Sequence, residues 1–497
     1  MFAPGAMKAR SIVPLFAVPM AVAMVGLAVG SPRTAPPPPP PRAASALADA
    51  SAMKAAAGGA LQAQVEALVG NNPEWGLMAW SVDRKEPLFA VNAEKPMTPA
   101  SNNKVFTAVW ALTVLGPDYR FPTDLLVSGN VQGGVLQGDV ILKGSGDPAL
   151  GYPAFDKDPL ESLRPMARAL RAKGITSIQG GVIGDASVFD SVPHGPNWPR
   201  DTGNGVSAYA PTVSGLAFQR NLIWVDVRNG GWKLQPDAPE IPVVNQARGG
   251  GRGFAVRKPD NDTVILRGGI TGSAFRRYMV GVQDPAVMAA AALRQVLREA
   301  GITVAGRAVR GVTPQGAKLV HRHYSVPLSV IVRKMNRESD NFFAEHLWQA
   351  AQAGHGSYAE GGKASAAFYQ ARAGIPQGQL WQADGSGLSA DNRITALAMT
   401  RALSYADHQP WREVFHESLP VGGEPDGTLK HLFTTGPAKG NLHAKTGYIK
   451  QVRTLSGYVK ARNGERIVFS FLYNGRNTSG ARGIQSKLGD MLADFSR

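Results

Sequence analysis

The chain has 497 residues, 44% of them hydrophobic, a formal net charge of +16 at pH 7 and no cysteine. The absence of cysteine excludes disulfide bonds and a lipid-modified N-terminal cysteine, and a chain of this length buries a core large enough to fold without cross-links. The 9 histidines form no HExxH-like cluster, so neither a metal nor another cofactor is expected.

The first 58 residues predict an export signal and a tether. Within residues 1–30, Lys8 and Arg10 precede an apolar run from 11 to 30, which is typical of a secretory signal peptide. The run is also long enough to be an uncleaved membrane anchor, and this alternative stays open. Residues 31–58 combine a proline run with Ala and Ser, the composition of a semi-rigid linker without a core. We therefore expect an exported, periplasmic or otherwise extracytoplasmic protein.

An apolar helix is predicted from Ser101 to Leu115, where Gly116-Pro117 ends it. Past its first turn the helix is apolar almost all round, as expected in the centre of a domain. Ser101 and Lys104 share a face of this helix, so the lysine amine can reach the serine hydroxyl. Partial burial would lower the pKa of Lys104 and make a neutral base feasible.

This pair alone does not establish a catalytic site. Ser101 also suits a helix N-cap, and an isolated lysine is usually a solvated surface residue. The chain holds a second Ser-x-x-Lys, from Ser51 to Lys54, in an Ala-rich stretch with no core-forming pattern. Context therefore favours Ser101 over Ser51.

Residues 118–321 predict a mostly β region with one or two helices. Strand patterns occur at 124–128, 135–142 and 222–228, and helical patterns at 163–173 and 287–300. This region carries no catalytic string of its own, which indicates an accessory insertion.

Ser339-Asp340-Asn341 is predicted to form a polar turn between two helices, 328–336 and 342–348. The alternative is a plain N-cap at Ser339 or Asp340. Both interpretations are compatible, because a capping turn can also present Ser339 and Asn341 to a cleft.

Lys445-Thr446-Gly447 is predicted to lead into a strand over 448–459, followed by an Asn463-Gly464 turn and a strand over 466–473. Gly447 would start the first strand, where the missing side chain lets a ligand approach the backbone. The alternative is an exposed edge lysine followed by a turn glycine. A last helix over 481–495 is expected to pack on this sheet.

In this order, the three strings resemble those of the D-alanyl-D-alanine carboxypeptidase/endopeptidase family of the penicillin-binding protein 4 type (class C, peptidase family S13). Further stretches that resemble the family's signatures are 99–104, 142–148, 181–185 and 384–389. The resemblance runs from about residue 60 to the end of the chain. The long gap between Ser101 and Ser339 fits this family's large insertion better than it fits a single-domain β-lactamase.

The resemblance implies an α/β (α+β) fold of the DD-peptidase/β-lactamase-like kind. The serine peptidase domain would comprise residues 59–117 and 322–497. The mostly β accessory insertion, residues 118–321, would follow the nucleophile helix directly.

The resemblance also implies a role for each residue of the first two strings. Ser101 would attack the carbonyl of the penultimate D-Ala in a peptidoglycan stem peptide, and Lys104 would take the hydroxyl proton. Ser339 would relay a proton to the departing amine, and Asn341 would hold the substrate's amide.

The third string would bind the other end of the substrate. Lys445 and Thr446 would hold the terminal carboxylate, and the backbone N–H groups of Ser101 and Tyr448 would form the oxyanion hole. Arg393 and Asp185 are two further candidates for contact with the stem peptide, although Arg393 equally suits a solvated surface position.

The expected partners are peptidoglycan stem peptides and β-lactams, which would acylate Ser101 and stay attached. Two alternatives remain: a β-lactamase or esterase with the same apparatus, and a non-catalytic cell-wall-binding protein on the same scaffold. The basic charge suits an anionic polymer or a membrane surface, whereas the export signal and the lack of a binding motif argue against nucleic acid. Carboxypeptidase, endopeptidase and transpeptidase activity, and the oligomeric state, stay open.

Overall fold

A computed structural model describes residues 59–198, 209–210, 212–228, 231–249, 254–257, 263–270, 275–352 and 354–496. The predicted signal, linker and second Ser-x-x-Lys in the first 58 residues therefore lie outside the described residues. No helix in the described part of the chain combines the length and the apolar character needed to span a membrane.

The helices and strands are numbered here in chain order. The helices are α1 (Ala60–Val69), α2 (Asn103–Leu115), α3 (Arg164–Ala172), α4 (Pro285–Glu299), α5 (Leu328–Glu338), α6 (Asn341–Ala350), α7 (Tyr358–Ala373), α8 (Ala396–Asp407), α9 (Arg412–Ser418) and α10 (Thr478–Asp494). The strands are β1 (Trp75–Ser81), β2 (Glu86–Val91), β3 (Pro122–Val127), β4 (Asn130–Gln132), β5 (Val135–Gln137), β6 (Val140–Lys143), β7 (Ser177–Ile178), β8 (Val182–Asp185), β9 (Leu222–Arg228), β10 (Gly231–Gln235), β11 (Val243–Gly249), β12 (Ala255–Arg257), β13 (Val264–Ile270), β14 (Arg276–Gly281), β15 (Thr303–Val304), β16 (Ala308–Arg310), β17 (Lys318–Tyr324), β18 (Leu380–Trp381), β19 (Arg393–Ile394), β20 (His443–Ile449), β21 (Val452–Lys460) and β22 (Arg466–Asn474).

A five-stranded antiparallel sheet takes its strands from both ends of the chain, in the order β2-β1-β22-β21-β20. Because side chains alternate along a strand, β1 sends Leu77 and Ala79 to one face and Met78 and Trp80 to the other. The first face packs on α1 and α10, and the second packs on α2, α5, α6 and α8. The sheet is therefore buried between two helical layers, and β20 forms one edge.

Helix α2 lies inside the second of these layers. Its residues from Asn103 to Leu112 are all buried, which confirms the prediction made from its nearly continuous apolar sequence. The predicted packing of the last helix is also confirmed, because Gln485 of α10 donates to the carbonyl of Phe471 in β22 at 3.1 Å.

Between α2 and α5, the residues that the structure describes form four further sheets with two α-helices and a separate apolar core. The largest sheet has the order β16-β8-β6-β3-β17, with parallel pairing from β16 to β6 and antiparallel pairing from β6 to β17. The others are β15-β7-β5-β4, β10-β9-β14 and β11-β13-β12. The β-rich character and the two helices predicted for this region are confirmed.

Two predicted strands were wrong in their extent. The run 135–142 is split into β5 and β6, which belong to different sheets. Gly138 lies between them, and a Cβ there would lie 2.0 Å from the carbonyl oxygen of Ser128. The run 448–459 contains a chain reversal at Lys450 and Gln451, so that Ile449 pairs with Val452. This turn has none of the Asn or Gly residues that signal a hairpin, although Gln451 takes a φ of 62°.

Candidate active site

Ser101 lies in a 3₁₀ turn, Ala100–Asn102, that precedes α2. Two neighbours hold this turn. From β21, Thr454 Oγ1 donates to the carbonyl of Pro99 at 2.7 Å, and Asn102 Nδ2 donates to Ser456 Oγ at 2.7 Å. From the other side, residues 384–389 pack so closely that a Cβ on Gly387 would lie 1.8 Å from the Ala100 carbonyl oxygen. The serine is therefore fixed by contacts remote in sequence, while its side chain stays partly exposed.

Lys104 is completely buried and contacts three chain segments. Its Nζ lies 3.2 Å from Ser101 Oγ, 2.6 Å from Asn341 Oδ1 and 2.8 Å from the Ser386 carbonyl oxygen. Burial lowers the pKa of Lys104 to about 8, although the nearby carboxylates of Glu345, Asp384 and Asp340 oppose this shift. A substantial fraction of the amine is therefore neutral at mildly alkaline pH, beside a serine hydroxyl.

The second serine and lysine also meet. Ser339 ends α5 in the left-handed conformation, with φ 57° and ψ 39°, and Asp340 caps α6 by accepting from the Phe343 N–H at 3.2 Å. Lys445 Nζ lies 2.8 Å from Ser339 Oγ and 2.9 Å from the Thr446 carbonyl oxygen. The predicted capping role belongs to Asp340, and it coexists with the presentation of Ser339 and Asn341 to the lysines.

Lys445 is also completely buried. Burial, with a smaller contribution from the positive charge of Lys104, lowers the pKa of Lys445 well below its usual value. An anion beside these two lysines would favour their protonated forms, and so would oppose the effect of burial on both pKa values.

Two buried acids flank the lysines, and sequence reasoning gave neither a role. Glu345 of α6 accepts from the N–H groups of Ser386 and Gly385 at 2.7 and 3.1 Å, and burial raises its pKa to about 8. Asp384 accepts from the N–H groups of Gly387 and Ser389 at 2.7 and 2.6 Å, and burial raises its pKa too. The two acids shape the loop whose Ser386 carbonyl accepts from Lys104. The available signal was a carboxylate at position 345 in a helix rich in large apolar residues, Phe342, Phe343, Leu347 and Trp348.

The edge strand β20 places its backbone beside Ser101. The Ala444 N–H points away from β21, since it donates to the Pro420 carbonyl at 2.9 Å. Successive N–H groups of a strand alternate in direction, so those of Thr446 and Tyr448 point to the same open side. The Thr446 hydroxyl lies 2.8 Å from Thr428 Oγ1, and the Tyr448 ring is 57% exposed.

Gly447 lies within β20 rather than at its start. A Cβ on this residue would lie 2.1 Å from Thr454 Oγ1 and 2.8 Å from the Pro99 carbonyl oxygen. The missing side chain therefore lets the strand pack against the turn that carries Ser101, which differs from the predicted approach of a ligand.

The hydrogen bonds of Arg393 and Asp185 are made with residues other than the two lysines. Arg393 is exposed and donates to Thr98 Oγ1 at 3.1 Å and to the Asn392 carbonyl at 2.8 Å. Asp185 is buried at the end of β8, where it accepts from the N–H groups of Ser187 and Thr313 at 2.9 and 2.8 Å. These contacts hold Asp185 in place, and contact of Arg393 and Asp185 with the stem peptide stays a prediction.

Within the described residues, no group of three or more His, Asp or Glu side chains is arranged to hold a metal ion.

Comparison with known proteins identifies the fold and the family. The model of the D-Ala-D-Ala carboxypeptidase 3 (S13) family matches residues 60–495. A D-alanyl-D-alanine carboxypeptidase from Actinomadura sp. (strain R39) is 30% identical over 438 residues, which cover 83% of this chain and 79% of the relative.

Two crystal structures of penicillin binding protein 4 (dacB) from Haemophilus influenzae are similar to the chain. One matches with a TM-score of 0.72 and 27% identity over 87% of this chain and 99% of the other. The second, a complex with a β-lactam, matches with a TM-score of 0.67 and 25% identity over 87% and 100%. The predicted α/β fold of the DD-peptidase kind is thereby confirmed. The chain belongs to the D-Ala-D-Ala carboxypeptidase 3 (S13) family and is a hydrolase.

Proposed function

We propose that this chain is a penicillin-sensitive serine D,D-peptidase, in which Ser101 forms an acyl-enzyme with the penultimate D-Ala of peptidoglycan stem peptides. The observation that carries this proposal is the environment of Lys104. Its Nζ is completely buried, lies 3.2 Å from Ser101 Oγ, and has a pKa lowered to about 8. A lysine in this state can act as the base that activates a serine.

In the first step, Ser101 Oγ attacks the carbonyl carbon of the penultimate D-Ala while the neutral Lys104 amine accepts the hydroxyl proton. Asn341 Oδ1 and the Ser386 carbonyl, at 2.6 and 2.8 Å from Nζ, accept hydrogen bonds from the resulting ammonium group. These acceptors are in place before the reaction, so they stabilise the charge without reorganisation.

The same step places negative charge on the carbonyl oxygen of the substrate. The N–H groups of Ser101 and Tyr448 are the proposed donors to this oxygen. The direction of the β20 N–H groups supports the second donor, because the Tyr448 N–H shares its side of the strand with the Ala444 N–H. Donors fixed at the position of developing charge lower the activation barrier.

Lys445 and Ser339 act on the leaving group. Lys445, with the Thr446 hydroxyl, binds the carboxylate of the terminal D-Ala, and this anion raises the lowered pKa of Lys445. Ser339 Oγ, 2.8 Å from Lys445 Nζ, gives its proton to the amine as the C–N bond breaks, and takes in its place the proton that Lys104 received from Ser101. Water then hydrolyses the ester and releases the shortened peptide.

The same geometry supports the stem peptide as the proposed substrate and the β-lactam as the proposed covalent inhibitor. A β-lactam presents a strained amide and a carboxylate, so it would acylate Ser101 and stay attached.

We further propose that the enzyme acts outside the cytoplasm, where its substrate lies, and that its basic charge favours the anionic cell wall or a membrane surface. Cleavage of D-Ala-diamino acid cross-links is a second proposed activity of the same site.

Labelling with a fluorescent penicillin tests the mechanism. We expect stable labelling of the purified protein and none in Ser101→Ala. Ser51→Ala is the matched control, since Ser51 heads the other Ser-x-x-Lys, and it should label like the wild type. Rapid loss of the label would favour a β-lactamase, and an unlabelled wild-type protein would contradict the proposal.

A second assay separates the possible products. Purified muropeptides are incubated with the enzyme, and released D-Ala is measured beside the amount of cleaved cross-link. Release of D-Ala with intact cross-links would restrict the enzyme to carboxypeptidase activity, whereas loss of cross-links would add the endopeptidase activity.

A further inference from the structure

Three consecutive residues before β9, Gln219, Arg220 and Asn221, are all left-handed, with φ of 50°, 58° and 56°. Residues with a Cβ avoid this region because the Cβ crowds the backbone, and runs of three are far rarer than single cases. Such strain persists only where the surrounding structure over-determines it, and it is concentrated at functional sites.

The two outer residues of this turn are buried and anchor it. Gln219 Nε2 donates to the carbonyls of Leu222 and Gln235 at 2.8 and 3.0 Å. Asn221 Nδ2 donates to the carbonyl of Thr212 at 2.8 Å. The strain is therefore held from both sides, and the middle side chain, Arg220, is the one that leaves the turn.

Arg220 reaches from the insertion to the Ser339-Asp340-Asn341 turn. Its Nη1 donates to Asp340 Oδ2 in an ion pair whose side chains are only 16% and 6% exposed. The guanidinium also lies over the rings of Tyr152 and Phe342, 5.2 and 5.6 Å from their centroids. A planar guanidinium suits both contacts at once, which lysine cannot reproduce.

Asp340 connects this ion pair to the two lysines. Its other oxygen, Oδ1, accepts from the Phe343 N–H and caps α6. Its neighbours in the chain are Ser339, which lies 2.8 Å from Lys445 Nζ, and Asn341, which lies 2.6 Å from Lys104 Nζ. Holding Asp340 therefore holds both groups that contact the lysines.

We propose that Arg220 is a positioning residue of the acyl-transfer site, which by binding Asp340 fixes Ser339 and Asn341 against the two lysines. The inference rests on the proposed function of Ser101 and Lys104. The insertion then contributes a residue to the site, Arg220, which belongs to none of the three strings.

Arg220 also affects the pKa of Lys104, because it pairs with the Asp340 carboxylate. The ionisable groups that act on Lys104 are Glu345 of α6, Asp384 of the following loop, Asp340 and, as a like charge, Lys445 of β20. Asp340 raises the pKa of Lys104. Without the guanidinium this carboxylate acts more strongly, so the pKa of Lys104 rises further, whereas removal of the carboxylate lowers it.

The test measures the second-order rate of acylation by a fluorescent penicillin between pH 6 and 10. Arg220→Gln should lower the plateau rate about tenfold and move the acid limb to higher pH. Asp340→Asn keeps the cap but loses the charge, so it should lower the plateau rate and move the acid limb to lower pH. Arg220→Lys should keep the wild-type midpoint, because its charge is retained, with a reduced plateau rate. The double variant should lose no more than Arg220→Gln alone, since both changes break one interaction.

A matched ion pair in the insertion supplies the control. Arg277 binds Asp226 through two contacts of 2.6 and 2.8 Å and stacks on Trp224 at 3.8 Å, so Arg277→Gln removes a similar pair and should leave rate and midpoint unchanged. Wild-type rate and midpoint in Arg220→Gln would overturn the inference. If that variant does not fold, the same result in Arg220→Lys and Asp340→Asn would overturn it. The two failures are distinguishable. An unlabelled wild-type protein would overturn the proposed function together with this inference, whereas a labelled wild type with an unchanged Arg220→Gln would overturn the inference alone.

Discussion

The region made of residues 59–115 and 328–494 buries charge differently from residues 122–324. In the first region, Lys104 and Lys445 are both completely buried, and burial lowers the pKa of each. In the second region, buried Asp226 accepts from two nitrogens of Arg277, Nε and Nη2. The insertion thus pairs the buried charge of Asp226, although burial raises the pKa of its Asp147 to about 7. The first region instead buries two amines, and their lowered pKa values suit the chemistry proposed for them.

Replacing a lysine in each region gives the largest expected contrast. Lys104→Met should lower the acylation rate about 1,000-fold, because the serine loses its base. Lys143→Met, at the exposed end of β6, should leave the rate unchanged. Stopped-flow or timed labelling with a fluorescent penicillin measures both. A Lys104→Met protein that acylates at the wild-type rate would contradict the proposed role of Lys104 as the base.

Two glycines with similar backbone angles sharpen the comparison for packing. Gly387 has φ 84° and faces the Ala100 carbonyl oxygen, whereas Gly316 has φ 82° and has no atom within 4 Å of the space for a Cβ. Gly387→Ala should lower the free energy of unfolding by more than about 3 kcal/mol through strain and overlap. Gly316→Ala should cost about 1 kcal/mol through φ alone. Urea unfolding compares the two, and equal losses would contradict the tight packing of residues 384–389 on the serine turn.

The pH dependence should follow the lowered pKa of Lys104. The neutral amine is the reactive form, so kcat/KM for a D-Ala-D-Ala peptide should rise with pH and level off above about 8. At pH 7 the rate should be about a tenth of its plateau, since one pKa unit is a tenfold change in the neutral fraction. A profile that is flat from pH 6 to 9 would rule out Lys104 as the titrating base.

A smaller effect is expected where the two regions touch. Trp198 of the insertion donates from Nε1 to Asp384 Oδ2 at 2.9 Å. Trp198→Phe keeps most of the ring but loses this bond, and should lower the free energy of unfolding by about 1 kcal/mol. Trp232→Phe, at a partly exposed position in β10, should cost less than about 0.5 kcal/mol. Equal effects in thermal unfolding would show that the contact with Asp384 adds nothing.

Much of the site was predictable because its parts have local signatures. The buried helix after Ser101, the helices on both sides of Ser339, and the last helix against the sheet all follow from apolar periodicity, which is a property of neighbouring residues. The family resemblance ordered the three strings and implied the insertion between Ser101 and Ser339. The chain reversal at Gln451 was not predicted, since the sequence there has no Asn or Gly to indicate a turn.

The sequence by itself therefore determined which residue types are available and which helix or strand carries each of them. Only the tertiary structure decided that Ser339 meets the Lys445 amine, that Glu345 and Asp384 shape the loop beside Lys104, and that Arg220 binds Asp340. The physical reason is that most of these contacts join segments 40 or more residues apart in the sequence, and that the pKa values of the groups depend on burial. Desolvation and long-range hydrogen bonds have no local periodicity from which they could be read.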